Sequence, residues 1–277
     1  MSTNRELYFQ YKKEGIPDAV IYFALEEING FDHLSLTNNF DKEIKDENQF
    51  VSAMNRYQNG EMIEYIFNKA YFLSKPFYAD KNVLIPRQET EQLVLNTARL
   101  IKNTFHNDNL KILDVCTGSG CIGISLAHIF TNSEVVLSDI STDALTIANK
   151  NIRDHKLTNV VTKQGDMLTP FIDHVDRYNV IICNPPYIEN EATIDEKTWK
   201  QEPHLALLAK PGTLFYERVF QDYLKIVSDE FIIAFEIGED QEEALTGLIN
   251  KYCQGCSFYF EKDLYNKTRF LYIKGKK

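Results

Sequence analysis

Asn184-Pro185-Pro186-Tyr187 directly follows the apolar run Val180-Ile181-Ile182-Cys183, and these four residues can do chemistry together. Proline fixes φ and has no N–H, so it cannot continue a central ladder and leaves carbonyl oxygens facing outward. A strand that delivers an amide, two ring-locked residues and an aromatic to its carboxyl end builds a mouth of hydrogen-bond acceptors. Such a mouth suits a planar –NH2 group. The Asn184 oxygen and a neighbouring carbonyl accept its two hydrogens, and the Tyr187 ring covers its plane. Methyl transfer to an amide or exocyclic amine needs that arrangement. A simple turn closing the strand accounts for one proline but not for the tetrapeptide.

A second such stretch is Leu113-Asp114-Val115-Cys116-Thr117-Gly118-Ser119-Gly120-Cys121-Ile122-Gly123. Glycines let the backbone approach a ligand closely, and a helix start offers free N–H groups. Gly118-x-Gly120-x-x-Gly123 also matches the dinucleotide fingerprint, with Asp139 about 20 residues further on. The Asp139 carboxylate can accept both ribose hydroxyls of either kind of cofactor. Two features favour S-adenosylmethionine over a nicotinamide. The mouth has no use in hydride transfer, and Gly165-Asp166-Met167 puts an acid and an apolar side chain where an adenine can sit. Taken alone, Asp166 reads as a helix N-cap.

The elements that must position these residues alternate from Lys111 onward. Strands are expected at 111–114, 134–139, 160–164, 178–184, 231–237, 257–261 and 269–273, with helices at 141–155, 213–227 and 241–252 among them. That order predicts an α/β fold with a mostly parallel sheet covered on both faces. Only Lys262–Thr268 separates the last two strands, too short for a helical crossover, so the final strand should run antiparallel. The first ~75 residues carry helical stripes, Val20, Phe23, Ala24 and Ile28, then Phe50, Met54 and Tyr57, on a small helical domain that is either scaffold or protein-docking surface. Between them, Tyr71-Phe72-Leu73 and Asn82-Val83-Leu84-Ile85 suggest a β-hairpin linker, ended by Pro86 before a helix from Thr90. The expected division is 1–74 as a helical substrate-docking domain, 75–88 as linker and 89–277 as the sheet domain.

A chain of 277 residues can bury one large and one small core. Its 30 basic and 40 acidic residues leave a net charge of −10, which argues against a protein held mainly to phosphate backbones. Met1-Ser2-Thr3-Asn4-Arg5-Glu6 lacks the apolar core of a signal peptide, and no apolar run approaches the ~20 residues of a membrane span. Five cysteines, an odd number, fit a reducing cytosol, so a cytoplasmic location is expected. Cys253-x-x-Cys256 has no second pair, and the six histidines lack metal-ligand spacing; no metal is expected.

Val83-Leu-Ile-Pro-Arg-Gln-Glu-Thr-Glu91, Asp114-Val-Cys-Thr-Gly-Ser-Gly120, Asn184-Pro-Pro-Tyr187, Glu202-Pro-His-Leu-Ala-Leu207, Phe235-Glu-Ile-Gly238 and Lys262-Asp-Leu-Tyr-Asn-Lys-Thr-Arg269 together resemble the HemK/PrmC protein-glutamine N5-methyltransferases. The resemblance runs from about Tyr71 to the end. It implies a Rossmann-like S-adenosylmethionine-dependent methyltransferase domain. The implied substrate is the glutamine in the Gly-Gly-Gln loop of class 1 peptide chain release factors. It further implies cofactor binding by Cys116, Thr117, Gly118, Ser119, Gly120, Asp139, Met167 and Asn184, and a grip on the substrate amide by Asn184, Pro185, Pro186 and Tyr187. Asn184, Pro185 and Tyr187 are the expected catalytic residues. Two positions depart from the family's pattern: Cys116 stands where glycine is frequent, and Gln88 where proline is frequent. The first is tolerated if φ there stays negative.

Other readings stay open on the residues alone. A ribosomal-protein glutamine is a rival substrate, an adenine N6 of nucleic acid a more distant one, and a cofactor-binding scaffold or a nicotinamide enzyme more distant still. Glu89 and Glu91 either offset the sulfonium charge or serve the first turn of a helix. Arg87 orients substrate or pairs with one of those acids. The stretch 188–202, with the lone Trp199, is a mobile cover or a surface loop. Cys116 and Cys183 should end adjacent strands beside the cofactor.

Overall fold

Side chains that cap free N–H groups start several of the helices. Thr3 and Glu6 form a reciprocal capping box on α1 (Asn4–Lys13). Asp32 caps α3 (His33–Asn38) and Asp46 caps α4 (Glu47–Gln58). With α2 (Asp18–Asn29) and α5 (Ile63–Phe67) these helices make the unit Met1–Lys69 of the computed structural model, which describes residues 1–106 and 109–277. Leu7, Tyr11, Ile21, Leu25, Phe50 and Met54 form its core. Val20, Ala24 and Ile28 face inward as the 3.6-residue period demands, and Phe23 packs at the margin.

The second unit, Ala70–Lys277, holds everything else. It opens with a hairpin, β1 (Ala70–Phe72) and β2 (Lys75–Phe77). The expected second strand at Asn82–Ile85 is not a strand, so the hairpin is tighter than the sequence suggests. Leu73 and Ser74, at φ 48° and 60°, supply the two left-handed positions that a two-residue turn needs. After it come α6 (Gln88–Thr104), β3 (Lys111–Val115), α7 (Cys121–Ile129), β4 (Glu134–Asp139), α8 (Thr142–Asp154), β5 (Val160–Gln164) and β6 (Tyr178–Cys183). Then follow α9 (Glu196–Gln201), α10 (Leu214–Asp222), β7 (Val227–Glu236), α11 (Glu242–Tyr252), β8 (Ser257–Lys262) and β9 (Thr268–Lys276).

The large sheet runs β5-β4-β3-β6-β7-β9-β8, parallel except that β9 is antiparallel to both of its neighbours. Alternate residues of each central strand feed opposite layers. Ile112, Val180, Ile182 and Ile232 pack with α6 and α7, while Leu113, Ile181, Ile233 and Phe235 pack with α10 and α11. Burial on both faces explains why β6 and the end of β7 read as unbroken apolar runs. The strand β7 starts at Val227, earlier than expected, because the intended end of the preceding helix winds instead into a 3-10 turn at Tyr223–Lys225. Among the described residues no helix is long and apolar enough to cross a membrane.

Candidate active site

β3 and β6 lie side by side at the middle of the sheet, and the chain turns outward from them in opposite directions. A crevice outside the carboxyl ends of the strands at such a switch point is where open α/β sheets bind ligands. The residues singled out in the sequence converge there. The loop from Cys116 leaves β3, Asp139 ends β4, Met167 follows β5, and Asn184 follows β6; all of them line one cavity.

Each turn of the loop has a physical cause. Gly118 sits at φ 53° with nothing within 4 Å of where a Cβ would stand, so bare backbone faces open space. Gly120, at φ 84°, is the residue before α7 and packs toward Ile124 and Leu137 without lining the cavity. A Cβ on Gly123 would lie 2.1 Å from Leu137 Cδ2, so this glycine lets α7 lie close on β4. Cys116 has φ 58°, so the condition of a negative φ is not met, and it holds a side chain in a conformation that favours glycine. Its Sγ lies 3.7 Å from Met167 Sδ, and Met167 is itself left-handed at φ 50°.

Carboxylates hold this loop. Asp139 accepts the Gly118 N–H through Oδ2 and the Ser141 N–H through Oδ1, each at 2.9 Å. Burial raises its pKa, against the pull of those N–H groups. Asp139 lines the cavity, where its two oxygens can serve as the acceptor pair that a ribose diol needs. Asp114 is wholly buried beneath the loop, where Oδ2 accepts from Thr117 Oγ1 at 2.6 Å and Gly123 N at 2.9 Å. Burial pushes its carboxyl up to about 7. Together, the open backbone at Gly118, the Asp139 acceptors and the apolar Met167, Ile140 and Phe215 fit an adenosine cofactor. Among the described residues no cluster of three or more His, Cys, Asp or Glu is arranged to hold a metal ion.

The mouth itself is divided. Asn184 and Pro186 line this cavity, and Pro185 is buried and lines no cavity. Tyr187 faces an adjoining recess with Glu189, Gln241 and Arg269. Asn184 Nδ2 donates to Thr90 Oγ1 at 3.2 Å, and Thr90 Oγ1 donates to Glu236 Oε2 at 2.7 Å. Glu236 is buried at the end of β7; desolvation pushes it up to about 7, against Thr90, Arg269 and Asn184, which favour its charged form. Tyr216 Oη donates to the Glu236 carbonyl at 2.9 Å, and Arg269 donates to the Ile237 carbonyl at 3.1 Å. Burial raises the Tyr187 pKa. Sequence reasoning gives no role to Thr90, Glu236 or Arg269. The available signal is an acid closing the apolar run Phe231-Ile-Ile-Ala-Phe235.

Several side chains take roles other than those expected. Arg87 pairs with the buried Glu202, neither with Glu89 nor with Glu91. Glu91 Oε1 accepts the Leu73 N–H at 2.7 Å and pins the hairpin, and both acids sit in the first turn of α6. Asp166 does not cap a helix; it forms a two-pronged pair with Arg218, both contacts at 2.8 Å. The stretch from Ile188 to Glu202 carries the Ile188–Leu208 bridge, α9 and Trp199, which stacks on His204 at 3.6 Å. Pro203, Leu205 and Ala206, just beyond it, border the cavity. Cys183 pairs in register with Val115, next to Cys116, and is fully buried with its thiol pKa well raised by desolvation.

Residues 91–229 match the family model described as the methyltransferase small domain. The chain is 35% identical over 262 residues to the release factor glutamine methyltransferase of Mycoplasma mycoides subsp. mycoides, covering 92% of each chain. It is also 35% identical over 227 residues to the protein of the same name from Clostridium botulinum, covering 80% of this chain and 79% of that one. Among solved structures, a methyltransferase from Pyrococcus furiosus shares the fold, with a TM-score of 0.53 at 15% identity, over 80% of this chain and 97% of the other.

Proposed function

The chain belongs to the family of release factor glutamine methyltransferases, and on that premise we propose that it methylates the N5 amide nitrogen of the Gly-Gly-Gln glutamine in class 1 peptide chain release factors. One observation carries the site assignment: the Asn184 amide is hydrogen-bonded from behind through its nitrogen, in the same cavity as the Cys116–Gly120 loop and Asp139. The cofactor, S-adenosylmethionine, supplies an electrophilic methyl group when bound. Gly118, Asp139 and Met167 would hold its adenosine part, with Cys116, Thr117, Ser119 and Gly120 shaping the loop.

An amide nitrogen is a poor nucleophile because its lone pair is shared with the carbonyl. The chain's task is to aim that nitrogen and to offset the positive charge that grows on it. Asn184 Oδ1, in the cavity, accepts one N–H of the substrate amide, and we assign the other to the Pro185 carbonyl, which the substrate must reach from outside the cavity because Pro185 lines none. Two fixed acceptors orient the nitrogen and cost no reorganisation as charge develops. Tyr187 lines the adjoining recess with Arg269, and Pro186 walls the cavity. No side-chain base is required, because an N-alkylated amide cation is strongly acidic. We assign docking of the release factor to the helical unit Met1–Lys69, which exposes Phe9 and Leu34.

The test is transfer of labelled methyl from S-adenosylmethionine to a purified class 1 release factor, with ribosomal proteins and DNA in parallel. Label is expected on the release factor and should vanish when its Gly-Gly-Gln glutamine becomes alanine. Asn184→Ala should lower turnover by roughly 10²–10³, the scale of losing one preorganised polar contact. Label found only on a ribosomal protein or on DNA would overturn the substrate.

A further inference from the structure

We infer that Glu236, acting through Thr90, sets which way the Asn184 amide faces and is therefore a positioning residue for methyl transfer. The inference rests on the function proposed above and adds to it the part that makes Asn184 an acceptor.

Three elements bring the residues together. Cys183 of β6 pairs in register with Phe235 of β7, so the next residues along, Asn184 and Glu236, leave adjacent strands side by side. Thr90 reaches them from the first turn of α6. Glu236 is 4% exposed and Thr90 3%, so water does not satisfy either. A buried carboxylate is costly unless hydrogen bonds and charge compensate it. Here burial and Glu89 oppose the ionised form, while Thr90, which donates to it at 2.7 Å, the Arg269 guanidinium and Asn184 favour it.

The orientation follows from counting protons. A threonine hydroxyl carries one hydrogen and two lone pairs. With Glu236 ionised, as it is above about pH 7, that hydrogen goes to the carboxylate and Thr90 Oγ1 can only accept. The Asn184 atom 3.2 Å from it must then be the NH2 group. The reversed amide would set Oδ1 against the Thr90 lone pairs and toward the Glu236 carboxylate, acceptor against acceptor. Glu236 thus forces Oδ1 away from itself, to where it can accept a substrate N–H. Without the carboxylate the Thr90 proton is free to turn toward Asn184 and draw Oδ1 inward. The mouth would then present a donor to a donor.

The experiment compares the parent chain with Glu236→Gln, Thr90→Val, Thr90→Ser and the double variant Glu236→Gln/Thr90→Val. It reads kcat and KM for methyl transfer to the release factor, and S-adenosylhomocysteine binding by thermal shift. In Glu236→Gln the new side-chain amide can donate to Thr90, which reverses the chain of hydrogen bonds while keeping shape. Glu236→Gln and Thr90→Val should each lower kcat by about 10–10²-fold, below the oxyanion-hole scale because the acceptor is misaimed and not removed. Cofactor affinity should hold. Thr90→Ser, which keeps the hydroxyl, should restore most of the rate. The double variant should be no slower than the worse single one, since both break the same chain. A fully active Glu236→Gln, or losses that multiply in the double variant, would overturn the inference. If Glu236→Gln fails to fold, Thr90→Val against Thr90→Ser still decides. If the parent itself leaves the release factor unlabelled, the proposed function falls separately. Hydrogen exchange at the Asn184 side-chain NH2 then tests the orientation without substrate: slow in the parent and fast in Glu236→Gln if the inference holds, equal in both if it does not.

Discussion

Cys116 lines the cavity, where its glycine-rich spacing puts it, but spacing does not report φ, and the residue is left-handed at 58°. A Cβ in that region costs about 1–2 kcal/mol, partly offset by the extra entropy that glycine loses on folding, about 0.5–1 kcal/mol. Cys116→Gly should therefore raise stability by up to about 1 kcal/mol, measured by denaturant midpoint, with cofactor binding retained. The same residue lines the cavity, whereas Cys183 is fully buried. A maleimide should accordingly abolish S-adenosylhomocysteine binding in the parent and spare it in Cys116→Gly. Loss of binding in both would locate the sensitive thiol elsewhere. Asp166 and Arg218 show the opposite limit: they stand 52 positions apart, and nothing in the local sequence pairs them.

At the scale of elements, legibility follows β propensity, with burial adding to it at the centre of the sheet. The strands β4 and β5 have the bounds read from the sequence, through β-branched runs such as Val160-Val161-Thr162 on the sheet edge, and β6, an apolar run buried on both faces, differs by one residue. The hairpin is harder to place because Leu73-Ser74 lacks the Asn-Gly or Asp-Gly signal of a tight turn, and Pro76 reads as a breaker although it sits on a two-stranded edge. The contact between α7 and β4 depends on a missing side chain. Gly123→Ala would put a methyl 2.1 Å from Leu137 Cδ2 and also against Asp114, so α7 must lift. We expect a loss of about 1–3 kcal/mol from overpacking. Calorimetry checks it, and the doubled variant Gly123→Ala/Leu137→Ala should recover part of the loss. No recovery would mean that the strain lies at Asp114.

For the whole molecule, the buried carboxyls beneath the site shape stability against pH. Asp114 has its Oδ1 without a hydrogen-bond partner, and it titrates at about 7 in the fold against 3.8 in the reference state. Between those values the folded chain keeps a proton that the unfolded chain has released. The stability contributed by this raised pKa is complete below about pH 4 and is lost as pH rises through about 7. Asp114→Asn, close in shape and uncharged, should gain in melting temperature relative to the parent as pH goes from about 4 to 8; a difference that stays flat with pH would place the titration elsewhere. Glu236, raised from 4.5 to about 7, has the same sign. The division into a helical unit and a sheet unit is visible in the sequence as a change of period, but the division falls at Lys69, before the hairpin.

The strand β9 lies between β7 and β8 and carries Arg269, whose guanidinium braces the Ile237 carbonyl beside Tyr187. Of the strands in that sheet it is the last that a ribosome makes. A nascent chain acquires the cofactor loop and Asn184 well before the brace behind Tyr187, and until β9 emerges the edge of β7 has no partner on that side. An unpaired edge invites chaperones, proteases or another chain. Synthesis interrupted before Thr268 would thus leave a polypeptide that has Asn184 and the cavity loop but an unpaired β7 edge. Inserting the final strand completes the sheet and the catalytic surroundings in a single event.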